Sequence, residues 1–177
     1  PNLYFSISHT TRKIRKGEKE GKDYYFIDVK TFKKMIEKKQ LAEWARVHNN
    51  YYGTSKKEIN TNISKGFDIL LDIDVQGASQ IKKNYPESIH IFIMPPSFEE
   101  LEKRLRGRGD LEESNIKIRL NNAKKEIEKW FKYDYVIINE NLKDSVNSML
   151  SILKSFKLKK EAQKEKIKSI ILDFKRR

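Results

Sequence analysis

The chain alternates short apolar runs with polar segments, and in several places its apolar residues recur at helical spacing. In the first part of the chain these patterns predict strands at residues 3–8, 23–27 and 41–47, a helix around Phe32, Met35 and Ile36, and a helix from Ser55 to about Lys65. Ser55 and Glu58 are spaced as a capping box, which marks the start of the last helix. This mixture of short elements, at about residues 10–65, predicts a subdomain inserted between two strands of a larger sheet.

Strands and longer helices alternate in the second part of the chain. The patterns predict strands at residues 67–73, 90–94 and 135–138, and helices at residues 78–84, 97–106, 112–132 and from Leu142 to Leu153. Ser97 and Glu100 form a second capping box. Because alternating strands and helices build parallel sheets, the predicted fold class is α/β, with helices on both faces of a parallel sheet.

One predicted strand ends in two carboxylates, Asp72 and Asp74. Side chains at positions i and i+2 of a strand share a face. In an open α/β sheet, the ligand crevice lies beyond the carboxyl ends of the strands. The pair therefore indicates a cation or a ligand rich in hydrogen-bond donors, whereas the alternative is a solvated loop that only marks the end of the strand.

Composition restricts the class of protein. The 177 residues suit one domain, and no apolar run approaches the roughly 18 residues that span a bilayer. The chain has no cysteine, which excludes disulfides and thiolate metal sites. Its start has the pattern of a strand and not of a signal peptide, so we expect a cytoplasmic protein. The net charge of +13 suits anionic ligands or nucleic acid, but many lysines fall on predicted helix exteriors.

The end of the chain is a basic amphipathic segment. Beyond Lys154, the apolar residues Ile167, Ile170, Ile171 and Phe174 recur at helical spacing among lysines. We expect an additional packed helix here. The alternative is an arm that binds a partner or nucleic acid.

Several motifs occur together in this sequence. They are Ser8–Glu18, Gly21–Phe26, Glu43–Ala45, Asn50–Ser55, Asp72–Gly77, Pro95–Ser97 and Arg104–Gly109. In this order and spacing the set resembles the guanylate kinase family, whose members transfer a phosphoryl group from ATP to GMP. The resemblance runs from about Leu3 to about Leu153.

The resemblance implies a site for the GMP phosphate. In the family, the residues at the positions of Arg12, Arg15, Tyr24 and Tyr52 grip this group. The planar fork of arginine suits a dianionic phosphate, and tyrosine hydroxyls add donors. The alternative for the arginine pair alone is an ordinary solvated surface.

The resemblance also implies a site that reads guanine. Guanine presents an N1 proton and a 2-amino group beside the O6 acceptor, and Glu43 and Asp74 would meet these donors, while Ser8 and Thr54 would meet O6. Adenine would leave the same groups unpaired, which can discriminate by about 10⁴-fold or more. Taken singly, Glu43 could equally be a surface strand residue and Thr54 a helix cap.

For the phosphoryl donor, the resemblance implies a Mg²⁺ ion and cationic side chains around ATP. Asp72 matches the acidic residue that supports Mg²⁺ through water. Arg108 and Arg119 match two catalytic arginines of the family's lid, and Arg104 is a further candidate for contact with ATP. Asn139 corresponds to a position near the adenine of ATP. Each of these arginines could also be an ordinary residue on a helix surface.

The implied architecture is a single domain, residues 1–177, with a P-loop NTPase-like core, an inserted mixed α+β GMP-binding subdomain and a helical lid. Its expected divisions are the GMP-binding subdomain at 10–65, the core at 66–107 and 134–153, the lid with its following helix at 108–133, and a basic helical extension at 154–177.

The phosphate-binding loop of this family, Gly-x-x-x-x-Gly-Lys-[Ser/Thr], has no match here. The glycines at positions 17, 21, 53, 66, 77, 107 and 109 do not form it. We expect that about 25–30 residues, a strand, a loop and a helix, precede Pro1 in the complete protein. Without them, we expect poor folding, weak GMP binding and almost no phosphoryl transfer.

The expected function is phosphorylation of GMP, and of dGMP, by Mg²⁺-ATP, in a monomer or homodimer without a membrane or nucleic-acid partner. The alternative is a catalytically inactive guanylate-kinase-like module that binds phosphopeptides in the former GMP site. A basic nucleic-acid-binding protein is a third class, which rests on charge alone.

Overall fold

The structure is a computed structural model that describes residues 2–47, 49–107, 109 and 112–176, and the described chain forms two compact units that meet in sequence between His90 and Ile91. In chain order, the first unit contains β1 (Leu3–Phe5), β2 (His9–Thr10), β3 (Tyr25–Phe26), α1 (Val29–Glu37), β4 (Leu41–Val47), β5 (Asn50–Ser55), α2 (Lys56–Ser64), β6 (Asp68–Leu70) and α3 (Val75–Asn84). The second contains β7 (Ile91–Met94), α4 (Phe98–Gly107), α5 (Glu113–Ile127), a 3₁₀ turn (Trp130–Lys132), β8 (Tyr135–Ile138), α6 (Leu142–Lys157) and α7 (Lys164–Arg176). The finer division into core, subdomain and lid stays a prediction.

The first unit holds a parallel pair of strands and a mixed sheet. Strands β1 and β6 are parallel, with Leu3 opposite Asp68. The mixed sheet has the order β3-β2-β5-β4, in which β2 is parallel to β3 and antiparallel to β5, and β4 is antiparallel to β5. Strand β4 therefore lies at an edge of this sheet.

Apolar residues from several elements form the core of the first unit. Ala42 of β4, Ile59 of α2 and Ile81 of α3 are buried together, and Tyr85 packs against them. Ala42 and Ile81 bring α3 against the edge strand, and this packing places the start of α3 beside the middle of β4.

The predicted capping box at α2 forms only in part. Ser55 caps the helix and accepts the Glu58 N–H, which confirms the predicted start. The Glu58 carboxylate does not return to Ser55. Its Oε1 instead accepts the Ile7 N–H at 2.9 Å, the Tyr4 hydroxyl at 3.1 Å and the Ser6 hydroxyl at 3.3 Å. Glu58 thus ties α2 to β1, through Tyr4, and to the segment that follows β1.

The second unit contains the parallel pair β7 and β8, with Ile91 opposite Tyr135. Helices α4 and α5 pack through Leu105, Ile116 and Leu120. In the described part of the chain, no helix is long and apolar enough to cross a membrane.

The predicted α/β class and its parallel strands are confirmed, but some elements differ from the prediction. The strands predicted at 3–8 and 67–73 are β1 and β6, which are only three residues each. The patterns did not predict β5, because Asn50–Ser55 lacks regular apolar alternation and is a strand through pairing on both sides. The helix predicted at 112–132 ends at Ile127 and a 3₁₀ turn follows.

The basic end of the chain forms the predicted helix, α7, but it is not packed as expected. No residue of α7 is buried, and Phe174 is 77% exposed. Its apolar spacing therefore predicted the secondary structure correctly and the burial incorrectly.

Candidate functional site

A chain of hydroxyl and carboxylate groups crosses the mixed sheet of the first unit. Glu43 on β4 lies opposite Thr54 on β5, and the Thr54 hydroxyl donates to Glu43 Oε1 at 2.6 Å. The hydroxyls of Ser8 and Thr54 are 3.2 Å apart. Because Thr54 gives its single hydroxyl proton to Glu43, the Ser8 hydroxyl donates to Thr54. The structure therefore brings together three of the predicted guanine-reading residues.

Glu43 is a buried carboxylate, with only 3% of its surface exposed. Burial raises its pKa, and the nearby charge of Asp74 raises that pKa further, while the Thr54 hydrogen bond opposes both. An acidic group in such surroundings is costly for folding unless a ligand uses it. This burial contradicts the alternative that Glu43 is a surface strand residue.

Side-chain amides of α3 hold the strand on both sides of Glu43. Gln80 accepts the Trp44 N–H at 3.1 Å and donates to the Trp44 carbonyl at 2.6 Å. Asn84 donates to the Ala42 carbonyl at 2.8 Å. These amides occupy the outer edge of β4, so the backbone that carries Glu43 is fixed to α3.

Gly77, in the first turn of α3, makes room for the Glu43 carboxylate. A Cβ atom at this position would lie 2.5 Å from Glu43 Oε2. Such a contact is far inside the distance at which these atoms can pack. Only glycine therefore lets the helix approach Glu43 this closely.

The family resemblance implies that Glu43 reads guanine. We therefore expect Gly77→Ala to lower kcat/KM for GMP by about tenfold, because the added methyl would displace a carboxylate that accepts charge-assisted hydrogen bonds from the base. Alanine has the better helix propensity by about 1 kcal/mol, so helix weakening would not account for the loss. Steady-state kinetics would check this, with Ser79→Ala on the exposed side of α3 as the control. Unchanged kinetics in Gly77→Ala would show that Glu43 can move aside without consequence.

The two aspartates that follow β6 differ from the prediction. Strand β6 ends at Leu70, so Asp72 and Asp74 are not paired on one strand face. Asp74 is the N-cap of α3 and accepts the N–H groups of Gln76 at 3.1 Å and Gly77 at 2.8 Å. The helix starts too soon after the strand for the strand geometry to continue. Asp72 is exposed between the two elements.

A second cluster surrounds the Arg12 guanidinium. Glu18 accepts two hydrogen bonds from it, at 2.7 and 2.9 Å, and these bonds raise the pKa of Arg12, to which Tyr52 also contributes. The guanidinium carbon lies 5.3 Å from the ring centre of Tyr24 and 5.8 Å from that of Phe26. The structure thus brings together Arg12, Tyr24 and Tyr52, three of the four residues that the resemblance assigns to the phosphate site.

The tyrosines and the backbone connect this cluster with its neighbours. The rings of Tyr24 and Tyr52 meet edge to face at 6.0 Å. Burial raises the pKa of Tyr24, and the charge of Asp72 is among the smaller contributions to that rise. Arg15 is exposed, and its N–H donates to Glu18 Oε2 at 2.8 Å.

The two clusters lie on one face of the mixed sheet. Tyr52 and Thr54 are two residues apart on β5, so their side chains point to the same side. The separation along the strand is roughly 7 Å. The Glu43 carboxylate with its hydroxyls therefore lies beside the Arg12 clamp, which is the Arg12 guanidinium with Tyr24 and Tyr52. This arrangement suits a ligand with a polar base at one end and an anion at the other.

Apart from Asp72, the residues that the resemblance assigns to ATP belong to the second unit. Arg104 donates to Glu100 at 2.8 Å and to the Glu140 carbonyl at 3.2 Å. Asn139 follows β8 and accepts the Ser145 hydroxyl at 3.0 Å. Arg119 lies partly buried on α5, and Arg108 lies outside the described residues.

Several residues that shape the first unit's clusters were not predicted from the sequence. Glu18 stands three residues after Arg15 in the motif Ser8–Glu18, so the sequence could have indicated an acidic residue beside the arginines. Gly77 stands in the segment that follows the two aspartates. Gln80 and Asn84 gave no signal, because ordinary amides on a helix do not indicate which strand they contact.

Comparison with solved structures identifies the class of fold. The crystal structure of guanylate kinase from Anaplasma phagocytophilum is similar to this chain with a TM-score of 0.78 and 40% sequence identity, over 89% of this chain and 78% of that one. With its parallel strands and flanking helices, this chain is an α/β protein of the P-loop NTPase-like class.

Sequence comparison identifies the family. A family model described as guanylate kinase matches residues 2–156. The guanylate kinase of Carboxydothermus hydrogenoformans is 48% identical over 159 residues, which cover 90% of this chain and 78% of that protein. The guanylate kinase of Thermotoga maritima is 41% identical over 174 residues, covering 98% of this chain and 84% of that protein. The chain belongs to the guanylate kinase family. The Thermotoga alignment extends into α7, beyond Leu153, where we expected the resemblance to end.

Proposed function

We propose that this protein transfers the terminal phosphoryl group of ATP to GMP, forming ADP and GDP in purine nucleotide metabolism. Membership of the guanylate kinase family supports the reaction. The observation that carries the choice of acceptor is the buried Glu43 carboxylate, hydrogen-bonded to Thr54 on the same sheet face as the Arg12 clamp.

Glu43 is the proposed reader of guanine. Its carboxylate would accept the N1 proton and a proton of the 2-amino group, and Asp74 would add a second acceptor. Adenine offers no proton at N1 and no 2-amino group, so it would leave the buried carboxylate unpaired, at a cost in affinity.

The Ser8 and Thr54 hydroxyls are proposed to have different roles, because they have different hydrogen-bond partners. Thr54 uses its proton to hold Glu43, whereas the Ser8 hydroxyl can rotate from Thr54 to the O6 atom of guanine. Such a rotation exchanges one hydrogen bond for another and leaves Glu43 in place. Ser8 is therefore the proposed donor to O6, and the oxygen of Thr54 can approach the base without donating to it.

The phosphate of GMP is proposed to bind Arg12, Arg15, Tyr24 and Tyr52. Two guanidinium groups and two hydroxyls provide charge and directional donors for a dianion. These contacts would hold the attacking phosphate oxygen in place, and positioning supplies much of the catalysis in phosphoryl transfer. Because the proposed contacts go to the base and the phosphate, dGMP is a second proposed acceptor.

Cationic side chains of the second unit are proposed to act on ATP. Arg119, Arg108 and Arg104 would neutralise charge on the transferred group as its bond to the ADP oxygen breaks and its bond to the GMP oxygen forms. Asn139 is proposed to lie near the adenine of ATP.

Asp72 is the proposed support for Mg²⁺. Among residues 2–47, 49–107, 109 and 112–176, no group of three or more potential ligand side chains could hold a metal ion. An exposed single carboxylate such as Asp72 fits Mg²⁺, which is usually bound by one or two carboxylates, waters and substrate phosphates. When bound, the ion would neutralise phosphate charge.

An inactive phosphopeptide-binding module is the competing function. Such a module would need the Arg12 clamp, but it would have no use for a buried carboxylate that reads a base. The burial of Glu43 and its link to Thr54 therefore favour the kinase.

The proposed function predicts a marked preference among acceptors. With Mg²⁺-ATP, we expect ADP release with GMP and dGMP, and at least about 10³-fold lower kcat/KM with AMP, because AMP leaves Glu43 unpaired. A coupled assay of ADP release by the complete protein would measure this, with a reaction lacking acceptor as the control. Binding of GMP without ADP release would favour the inactive module.

A further inference from the structure

Glu18 is an acidic residue in the loop that is proposed to bind a dianion. Its Oε1 and Oε2 atoms receive Arg12 Nη2 at 2.7 Å and Nη1 at 2.9 Å. Oε2 also accepts the Arg15 N–H at 2.8 Å, and the Glu18 N–H donates to the Arg15 carbonyl at 3.1 Å. One carboxylate therefore orders the side chain of one arginine and the backbone of the other.

The contact between Arg12 and Glu18 is more enclosed than an ordinary surface ion pair. Their side chains are 13% and 20% exposed, compared with 45% and 35% for Arg106 and Glu102 on α4. Two parallel hydrogen bonds fix the plane of a guanidinium as well as its position. The rings of Tyr24 and Phe26 lie against the same group, so its orientation is determined from several sides.

This arrangement leaves Arg12 able to bind an anion. A guanidinium carries five N–H groups. Glu18 accepts two of them, and the Lys13 carbonyl accepts another at 2.8 Å. Within the described contacts, donors thus remain for the Tyr52 hydroxyl and for an incoming phosphate without displacement of Glu18.

We propose that Glu18 is a positioning residue for the GMP phosphate: it holds the Arg12 fork and the turn at Arg15 in the geometry that receives the phosphate, and it stays in place when GMP binds. This inference rests on the proposed function. It means that the negative charge of Glu18 favours binding of the GMP phosphate, although the two lie close together.

The opposite arrangement would have Glu18 occupy the anion position and leave when the phosphate arrives. Displacement would break both bonds to Arg12 and the bond from the Arg15 N–H. It would also leave a carboxylate unpaired near a dianion, which is repulsive. The two arrangements predict opposite effects of removing Glu18 on the affinity for GMP. Loss of a competitor would strengthen GMP binding, whereas loss of a positioning group would weaken it.

The test compares Glu18→Gln with Glu37→Gln, which removes the same charge from an exposed site at the end of α1. Calorimetric titration of the complete protein would measure the affinity for GMP and for guanosine, which lacks the phosphate. We expect Glu18→Gln to weaken GMP binding about tenfold, to leave guanosine binding unchanged, and to raise the KM for GMP but not for ATP. Glu37→Gln should change none of these values.

Unchanged or tighter binding of GMP by Glu18→Gln would overturn the inference, and tighter binding would identify Glu18 as a competitor. Equal weakening of GMP and guanosine binding would overturn it too, because the residue would then support the fold in general. If the unaltered protein bound neither GMP nor guanosine, the proposed function would fail and the inference with it. If the unaltered protein bound GMP as well as the variant did, only the inference would fail.

Discussion

Glu43→Gln is expected to lower kcat/KM for GMP by about a hundredfold, because charge-assisted hydrogen bonds contribute about 1.5–3 kcal/mol each. The side-chain oxygen of the glutamine can keep the hydrogen bond from Thr54. In that orientation the N–H₂ group of the glutamine faces the donors of guanine. Donor would then face donor. Steady-state kinetics with GMP would measure the loss, and Glu87→Gln, at an exposed position, would serve as the control.

The same substitution should stabilise the folded protein at neutral pH. Burial raises the folded-state pKa of Glu43, and Asp74 adds to the rise, so the folded chain holds this proton more tightly than the unfolded chain. The resulting stabilisation is present at low pH and is lost as the pH rises from the ordinary carboxyl range through the raised pKa.

Glutamine cannot ionise, so its advantage over glutamate should be present at neutral pH and should shrink as the pH is lowered. Thermal melting of both proteins at neutral and mildly acidic pH would measure the difference. If glutamine raised the melting temperature by the same amount at both pH values, the result would argue against an ionised, buried Glu43. Normal GMP turnover by this variant would refute the assignment of Glu43 to the base.

Arg12→Lys should also reduce kcat/KM for GMP by about a hundredfold, although the charge is kept. Lysine cannot make the two-point contact with Glu18 or lie flat against Tyr24 and Phe26. The ammonium group would meet the phosphate as a mobile point charge. Kinetics with GMP varied at saturating ATP should show the effect, together with an unchanged KM for ATP.

Arg46→Lys is a matched control for this change. Arg46 lies 6.0 Å from the ring centre of Tyr51, which neighbours Tyr52 on β5 and so points to the opposite face of the sheet. Its substitution should leave turnover unchanged. A similar loss in both variants would mean that Arg12 acts through the general charge of the protein and not through a phosphate site.

Local patterns in the sequence predicted β4 and β8 with their observed ends, because each is a run of apolar or alternating residues with clear limits. They did not predict that Asp74 would cap α3, since an aspartate after a strand can either continue the strand face or start a helix. Packing of α3 against β4 decides between these outcomes.

Family motifs predicted Ser8, Glu43 and Thr54 as a group, and the structure places them in hydrogen-bond contact. The sequence could not show that Thr54 gives its proton to Glu43, because 11 positions separate them in the chain. Nor could it show that Glu18 faces Arg12, since loop residues with opposite charges commonly remain solvated.

The side-chain amides of Gln80 and Asn84 fix the backbone around Glu43. They also occupy backbone groups of an edge strand that another chain could otherwise pair with. A strand at the border of a sheet offers unpaired N–H and carbonyl groups to any other extended chain. On β4 these amides already occupy such groups at Ala42 and Trp44. Local unfolding of α3 would therefore expose an unpaired edge strand that can aggregate, and it would also release the Glu43 carboxylate from its position.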